Sequence, residues 1–452
     1  MRNAIILAAG KGTRMVSSKN KVMHDILGKP MIEHVIDNLD KCNIELKVIV
    51  IGHQANQFET YFKDRVRFAY QNEQLGTAHA IMQTAELIKN RKGSTLIIYG
   101  DIPLVQPETI EALFKHNETH DLTVATAILD DPIQYGRIIR NKDGQFEKIV
   151  EYKDANIIEK EVNEINTGIY CIDNELLFKH LFDIKNDNAQ NEFYITDIVE
   201  IFNKNNYKVG TVVIKDDTEV MGINDRIQLH EATTWLQNKI NTSWMLQGVT
   251  FINPQQTYID ADVQIAQDTV IYPNVYLQKS TKIGQGCIIY PGTFIINSEI
   301  GNFTTVDASR ITDSKIGSHS KIGPYAHLRN GTFVHDNSRI GNFVEIKNSE
   351  IGENGKCAHL TYIGDTTVGK DVNIGCGVVT VNYDGKHKYR TIIEEGAFIG
   401  SNVNLIAPVT VGRNSVVAAG TTVNKDVPEG DMAIGRSRQE NKPGYGQKYK
   451  NR

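Results

Sequence analysis

The sequence has only two tryptophans and five cysteines in 452 residues, and its 49 basic side chains are nearly matched by 54 acidic ones. A net charge of −5 gives no bulk electrostatic reason to bind nucleic acid or a membrane surface, so neither is expected as a partner. Cys42, Cys171, Cys287, Cys357 and Cys376 are odd in number and form no CxxC pair. That spacing argues against a disulfide framework and a zinc knuckle and leaves buried thiols as the expectation. The chain opens Met1-Arg2-Asn3 and enters an apolar run that ends in glycine at once, too short for a signal peptide or a membrane span. A cytoplasmic protein acting on a small soluble substrate is expected. At ~150 residues per domain, two or three units should be present.

Two periodicities divide the chain. Up to about residue 225, short β-rich runs alternate with amphipathic helical stretches. Residues 4–8, 46–51 and 95–99 read as strands; residues 31–39 read as a helix with Ile32, Val35, Ile36 and Leu39 on one face, and residues 77–88 as another helix. This alternation predicts a mostly parallel, doubly wound Rossmann-like α/β sheet with its crevice at the strand C-termini. Residues 135–151 predict an antiparallel hairpin turned at Lys142-Asp143-Gly144. After residue 248 the period becomes six, with aliphatics at Ile259, Ile265, Ile271, Leu277, Ile283, Ile289 and Ile295. The register resumes at Ile316, Ile322, Leu328, Val334, Ile340 and Ile346, and again at Ile393, Ile399, Leu405, Val411, Val417 and Val423. Such a repeat cannot bury its own aliphatic, so successive turns must stack into a parallel β-helix, with the glycines that follow the aliphatics expected at tight corners. Residues 225–244 predict a helix with Leu229, Ala232, Leu236, Ile240 and Trp244 as a stripe, stopped by Gly248. The expected divisions are therefore 1–228, a linker arm at 229–248, the β-helix at 249–437 and a basic tail at 438–452.

The motif Leu7-Ala8-Ala9-Gly10-Lys11-Gly12-Thr13-Arg14-Met15 follows the first strand. It lacks the Walker spacing and the third glycine of GxGxxG. Its small residues let backbone N–H groups approach a phosphate or base, while Arg14 and Lys21 bring positive charge to a triphosphate. The segment resembles the sugar-phosphate nucleotidyltransferases. Gln71-Asn72-Glu73-Gln74-Leu75-Gly76-Thr77, Tyr99-Gly100-Asp101, Gly136-Arg137, Ile149-Val150-Glu151, Asn166-Thr167-Gly168 and Gly222-Ile223-Asn224 extend the likeness. Together with the six-residue repeat, these segments resemble the GlmU family, bifunctional uridylyltransferases and acetyltransferases, over nearly the whole length. That resemblance implies a left-handed β-helix and a homotrimer. It further implies that Leu7, Ala8, Ala9, Gly10, Gln71, Gln74, Gly76, Thr77, Tyr99 and Gly100 hold uridine nucleotide. Gly136, Glu151 and Asn166 would hold the acetylated sugar, Arg14 and Lys21 would serve catalysis, and Asp101 and Asn224 would bind Mg²⁺. Attack of a sugar phosphate on the α-phosphorus of UTP asks for such groups independently, because two anions must approach and pyrophosphate must leave. No protein nucleophile is needed.

A solenoid needs aliphatics and small residues, so polar clusters that interrupt the repeat call for another reason. The largest is Asn382-Tyr383-Asp384-Gly385-Lys386-His387-Lys388-Tyr389-Arg390, preceded by Arg329, Lys347 and the run His359-Leu360-Thr361-Tyr362-Ile363-Gly364-Asp365. The same resemblance makes His359 the base for acetyl transfer, and an unperturbed imidazole, titrating near pH ~6.5, can accept a proton at neutral pH. It places Arg329, Lys347, Tyr362 and Asn373 on glucosamine-1-phosphate. It places Cys376, Asn382, Tyr383, Ser401, Ala419 and Arg436 on acetyl-CoA, with Cys376 where family members carry alanine. The expected reaction acetylates glucosamine-1-phosphate with acetyl-CoA and couples the product to UTP for cell-wall precursor synthesis. Two other readings compete: a single-activity nucleotidyltransferase with a purely trimerising β-helix, and a non-catalytic assembly subunit. The basic cluster with His359 argues against the former, and intact Arg14, Lys21, Asp101 and Asn224 argue against the latter.

Overall fold

The computed structural model describes every residue except Lys11, His53, Ile133, Asn451 and Arg452. Lys11 of the glycine-rich motif and the last two residues of the basic tail therefore lie outside the described residues. The chain forms two compact units, Met1–Leu236 and Gln237–Arg452.

Among the described residues, the first unit is built on a nine-stranded sheet: β1 (Arg2–Leu7), β2 (Leu46–Ile51), β3 (Arg67–Tyr70), β4 (Ser94–Tyr99), β5 (Leu122–Ile128), β6 (Arg137–Arg140), β7 (Phe146–Val150), β8 (Glu164–Asp173) and β9 (Val209–Ile214). Their order is β9-β5-β8-β4-β1-β2-β3, with the β6–β7 hairpin attached to β8. Pairing is parallel across β4-β1-β2-β3 and β9-β5, and β8 runs antiparallel between β4 and β5. Runs such as Ala4-Ile5-Ile6-Leu7 are apolar throughout because both faces are covered. Ile6, Ile49 and Ile98 pack with Ile32, Ile36 and Leu39 on one side, and Ile5, Val48 and Ile97 with Ala78 and Ile81 on the other. The helix expected at residues 77–88 is instead two pieces, Thr77–Met82 and Ala85–Ile88. Buried Thr84 turns its hydroxyl back to donate to the Ile81 carbonyl at 2.7 Å, which competes with continuing the helix. The predicted hairpin is present, turned at Gly144, whose N–H donates to the Asn141 carbonyl at 2.9 Å.

The helix Arg226–Leu246 begins where Asp225 Oδ1 accepts from the N–H groups of Ile227 and Gln228, both at 2.9 Å. It ends before Gly248, at φ 90°, with Val249 N–H donating back to the Trp244 carbonyl at 3.1 Å. Leu229, Ala232 and Leu236 pack into the core of the first unit, and Ile240 and Trp244 into that of the second. Among the described residues no helix is long and apolar enough to cross a membrane.

The second unit is a left-handed parallel β-helix. On one face Ile265, Ile283, Ile300, Ile316, Val334, Ile351, Val368, Ile393 and Val411 pair in succession, one per coil. All the aliphatics of the predicted register are buried. The step from Val368 to Ile393 is longer than its neighbours because it carries the 382–390 loop. Except for Gly323, at φ 101° after Ile322, the glycines after the aliphatics do not turn corners. Gly284, Gly317, Gly341 and Gly412 let adjacent coils touch; a Cβ on Gly341 would stand 1.9 Å from the Ala358 carbonyl oxygen. Left-handed corners fall instead to residues such as Asn297, Asp313, Asn330, Asn337, Asn348 and Asn414, whose short polar side chains tolerate positive φ. Cys42, Cys171, Cys287 and Cys357 are buried free thiols, but Cys376 is exposed. It lies past the end of the two-residue strand Asn373–Ile374, in the turn that follows, so the alternation that buries Ile374 does not extend to it.

Because each aliphatic meets its copies above and below, Ile289→Ala should cost about 2–5 kcal/mol, whereas Lys282→Ala on the exposed face should stay within about 0.5 kcal/mol. Chemical denaturation of the two variants measures the contrast.

Candidate functional site

At the C-terminal edge of β1, β2 and β4, Leu7, Ala8, Ala9, Gly10, Gln71, Gln74, Gly76, Thr77, Tyr99, Lys21 and Asp101 line one cleft, with Val22, Ala80 and Glu192. Gln74 Nε2 donates to the Ala9 carbonyl at 2.7 Å and Gln71 Nε2 to the Gly76 carbonyl at 3.0 Å, tying the 71–77 segment to the first loop. Gly12 sits at φ 59° against Lys21, whose Cβ would lie 2.5 Å from a Cβ placed there. The Lys21 ammonium donates to Asp101 Oδ2 at 2.5 Å and to Asn224 Oδ1 at 3.0 Å. Ile223 N–H donates to the Asp101 carbonyl at 2.9 Å, which holds the 222–224 segment beside β4. Two hard oxygens thus converge on one cation. Among the described residues no group of three or more His, Cys, Asp or Glu could hold a metal. A metal at Asp101 and Asn224 would therefore need further oxygens from substrate or water, the arrangement that suits Mg²⁺.

Beyond Tyr99, the hairpin and β8 bring Gly136, Glu151 and Asn166 together. A Cβ on Gly136 would stand 3.4 Å from Glu151 Oε2, and Asn166 N–H donates to the Gly136 carbonyl at 2.9 Å. Asn166 Oδ1 accepts from Tyr170 Oη at 3.0 Å and from Gly168 N–H at 3.1 Å. Gly168 has no room for a side chain, since a Cβ would lie 2.2 Å from the Tyr99 ring. Burial raises the Glu151 carboxyl above its ordinary range, and Asp154 and Asp197 add to the effect. Asp197 is itself pushed up to about 6 by burial and by Glu200 and Asp154. Arg14 is exposed, and Gly100 is buried where its N–H donates to the Leu7 carbonyl at 3.0 Å. Neither lines the cleft.

On the β-helix, stacking assembles the second set. Asn342 pairs with His359, and His359 and Cys376 each stand two residues past the paired Cys357 and Ile374. Ser401 and Ala419 repeat that position beyond the paired Ile399 and Val417. The ladder is closed by Gly377 N–H to the Leu360 carbonyl, Asn402 N–H to that of Cys376 and Gly420 N–H to that of Ser401. Arg436 Nη1 reaches the Ala419 carbonyl at 2.5 Å. Predicted residues far apart in sequence thus form one outward column. On the adjoining face Arg329 pairs with Lys347, and Glu345 with Tyr362. Arg329 Nη2 donates to Glu345 Oε1 at 2.6 Å. The Lys388 ammonium facing Lys347 lowers that lysine from its ordinary value, with Arg329 contributing less. Asn382 Nδ2 and Asn348 Nδ2 donate to the two oxygens of buried Asp365, each at 2.5 Å. The loop is closed by Tyr389 N–H to the Asn382 carbonyl at 2.9 Å and by Tyr383 Oη to that of Gly385 at 2.7 Å. Asn373 stands apart from Arg329 and Lys347, on the face that carries Lys356 and Phe398.

Residues 4–151 match the MobA-like NTP transferase domain, residues 253–334 the GMPPB C-terminal domain and residues 390–425 the bacterial transferase hexapeptide (six repeats). The chain is 50% identical over 444 residues to the bifunctional protein GlmU of Exiguobacterium sibiricum, covering 98% of this chain and 99% of that one. It is 50% identical over 446 residues to that of Geobacillus thermodenitrificans, covering 98% and 97%. With the protein of the same name from Halalkalibacterium halodurans it shares 47% identity over 452 residues, covering 100% and 99%. The chain belongs to the GlmU family.

Sequence reasoning passed over several residues that join these GlmU-family clusters. Lys388 and Asp365 lay inside the polar segments that break the repeat, and their composition was the available signal. Glu192, Glu345 and Asn342 carried none, because each meets its cluster only across a fold or a coil.

Since Asp197 titrates higher in the folded protein than in the unfolded chain, the folded state binds more protons between about pH 4 and 6, and its contribution to stability falls as pH rises through that window. Asp197→Asn should therefore raise the Tm at pH 7.5 more than at pH 4. Thermal melts at both pH values check this.

Proposed function

We propose that this chain acetylates glucosamine-1-phosphate with acetyl-CoA and then couples N-acetylglucosamine-1-phosphate to UTP, releasing UDP-N-acetylglucosamine and pyrophosphate. The observation that carries the reading is full-length likeness to bifunctional GlmU proteins together with two separate polar clusters, one in each unit.

For uridylyl transfer, the small residues at 7–10 and the 71–77 segment receive the nucleotide, and Gly136, Glu151 and Asn166 the sugar. With Asn166 Oδ1 already held by two donors, its NH₂ group is left for the ligand. Lys21 and Arg14 supply positive charge to the triphosphate. Asp101 and Asn224 would hold Mg²⁺, which when bound neutralises charge building on phosphate oxygens. Orientation of the two anions is the chain's main contribution, because the sugar phosphate oxygen is itself the nucleophile.

For acetyl transfer, Arg329, Lys347 and Lys388 receive the sugar phosphate, whose negative charge meets the two crowded ammonium groups. Tyr362 contacts the sugar, and the Cys376, Ser401, Ala419 and Arg436 column carries coenzyme A, with Asn382 and Tyr383 at the acetyl group. His359 takes the proton from the amine as it attacks the thioester carbon. A homotrimer built through the β-helices, working in the cytoplasm where UTP and acetyl-CoA are found, completes the reading. A purely scaffolding β-helix is disfavoured, since stacking alone requires neither three cations at one place nor a histidine in the column.

Asp101→Ala should abolish uridylyl transfer, seen as loss of pyrophosphate release, while thiol release from acetyl-CoA continues near the wild-type rate. His359→Ala should do the reverse, lowering acetyl transfer by roughly 10²–10⁴-fold. A folded His359→Ala protein that acetylates at the wild-type rate would overturn the assignment.

A further inference from the structure

The position of a proton on His359 decides whether it can be a base. A neutral imidazole carries one N–H, and only the other nitrogen can accept. In the structure Nδ1 lies 3.1 Å from Asn342 Oδ1, on the strand directly beneath in the coil stack. An amide oxygen only accepts, so Nδ1 holds the proton and Nε2 keeps its lone pair. The backbone at His359 is pinned as well, its carbonyl accepting from Thr361 Oγ1 at 2.6 Å. Asn342 is half-buried, and the aliphatic that anchors its coil is Ile340. Packing therefore does not call for an amide at this position.

We propose that Asn342 is a positioning residue for acetyl transfer, its side-chain oxygen holding the Nδ1–H of His359 so that Nε2 is the free acceptor in the column that continues to Cys376. The inference rests on His359 being the base. During the reaction the amine nitrogen bonds to the acetyl carbon and the thioester C–S bond breaks. The proton leaves the amine for Nε2 and passes to the departing thiolate, while Nδ1–H stays on Asn342. With the tautomer reversed, Nε2 would already be protonated and could take nothing. A neutral amide suits this cycle because it orients the ring without trapping the imidazolium, as a carboxylate would.

The test compares Asn342→Ala, Asn342→Asp and His359→Ala in the full-length protein, with circular dichroism and thermal melting of each preparation reporting an intact β-helix. Asn342→Ala should lower kcat for acetyl transfer about 10- to 100-fold with little change in KM for either substrate, the loss typical when a group orienting an active histidine is removed. Asn342→Asp keeps the acceptor and adds charge. It should recover most of the rate at alkaline pH while moving the acidic limb of the pH–rate profile upward by about one unit or more. Wild-type kcat in Asn342→Ala, or an unshifted acidic limb in Asn342→Asp, overturns the positioning role if His359→Ala is inactive. If His359→Ala stays active, the base assignment falls first and this inference falls with it.

Discussion

A parallel β ladder has evenly spaced hydrogen bonds, so each strand copies the register of the one it joins, and this copying places the functional groups of both units. In the sheet, β1, β2 and β4 end side by side, and their last residues open a common edge where Ala8, Ala9, Tyr99 and Asp101 can meet. In the β-helix the same pairing lifts one outward position from coil to coil and turns scattered residues into the column from Asn342 to Ala419. The inward aliphatics hold the register firmly, because a slip of one residue would expose every one of them.

Charge is arranged differently at the two places. In the first cleft Lys21 is already matched by Asp101 and Asn224, so a cation is compensated before any ligand arrives. On the β-helix Lys347 and Lys388 oppose each other beside Arg329, with Glu345 paired to the arginine and the Asp365 carboxylate acting on both lysines. The first arrangement presents oxygens that a hard cation can use; the second presents a place for an anion. A partly exposed pair such as Arg329–Glu345 contributes little to stability in water, so its worth lies in recognition.

The two kinds of glycine in the β-helix show how tightly the coils meet. Gly341 is required by the Ala358 carbonyl lying against it, while Gly331 and Gly420 share the left-handed corners with asparagine and aspartate. A side chain at the first kind of position would separate two coils and lose their hydrogen bonds. The 382–390 loop is tolerated because it leaves between coils, after Thr380 has been buried and before Thr391 resumes the stack.

From the residues alone, the six-residue aliphatic spacing determined a stacked solenoid and the strand–helix alternation a layered α/β unit, because both periods follow from how a strand or helix must bury one face. The quoted motifs were legible as a likeness, and most of their residues do gather. Tertiary structure alone decided which partner each one meets. The break at Thr84, the outward turn of Cys376 and the separation of Asn373 from Lys347 depend on local hydrogen bonds and on which face a residue occupies. The contact of Asn342 with His359 is of the same kind: it exists only because one coil lies on another, and no spacing along the chain records the length of a coil at that point.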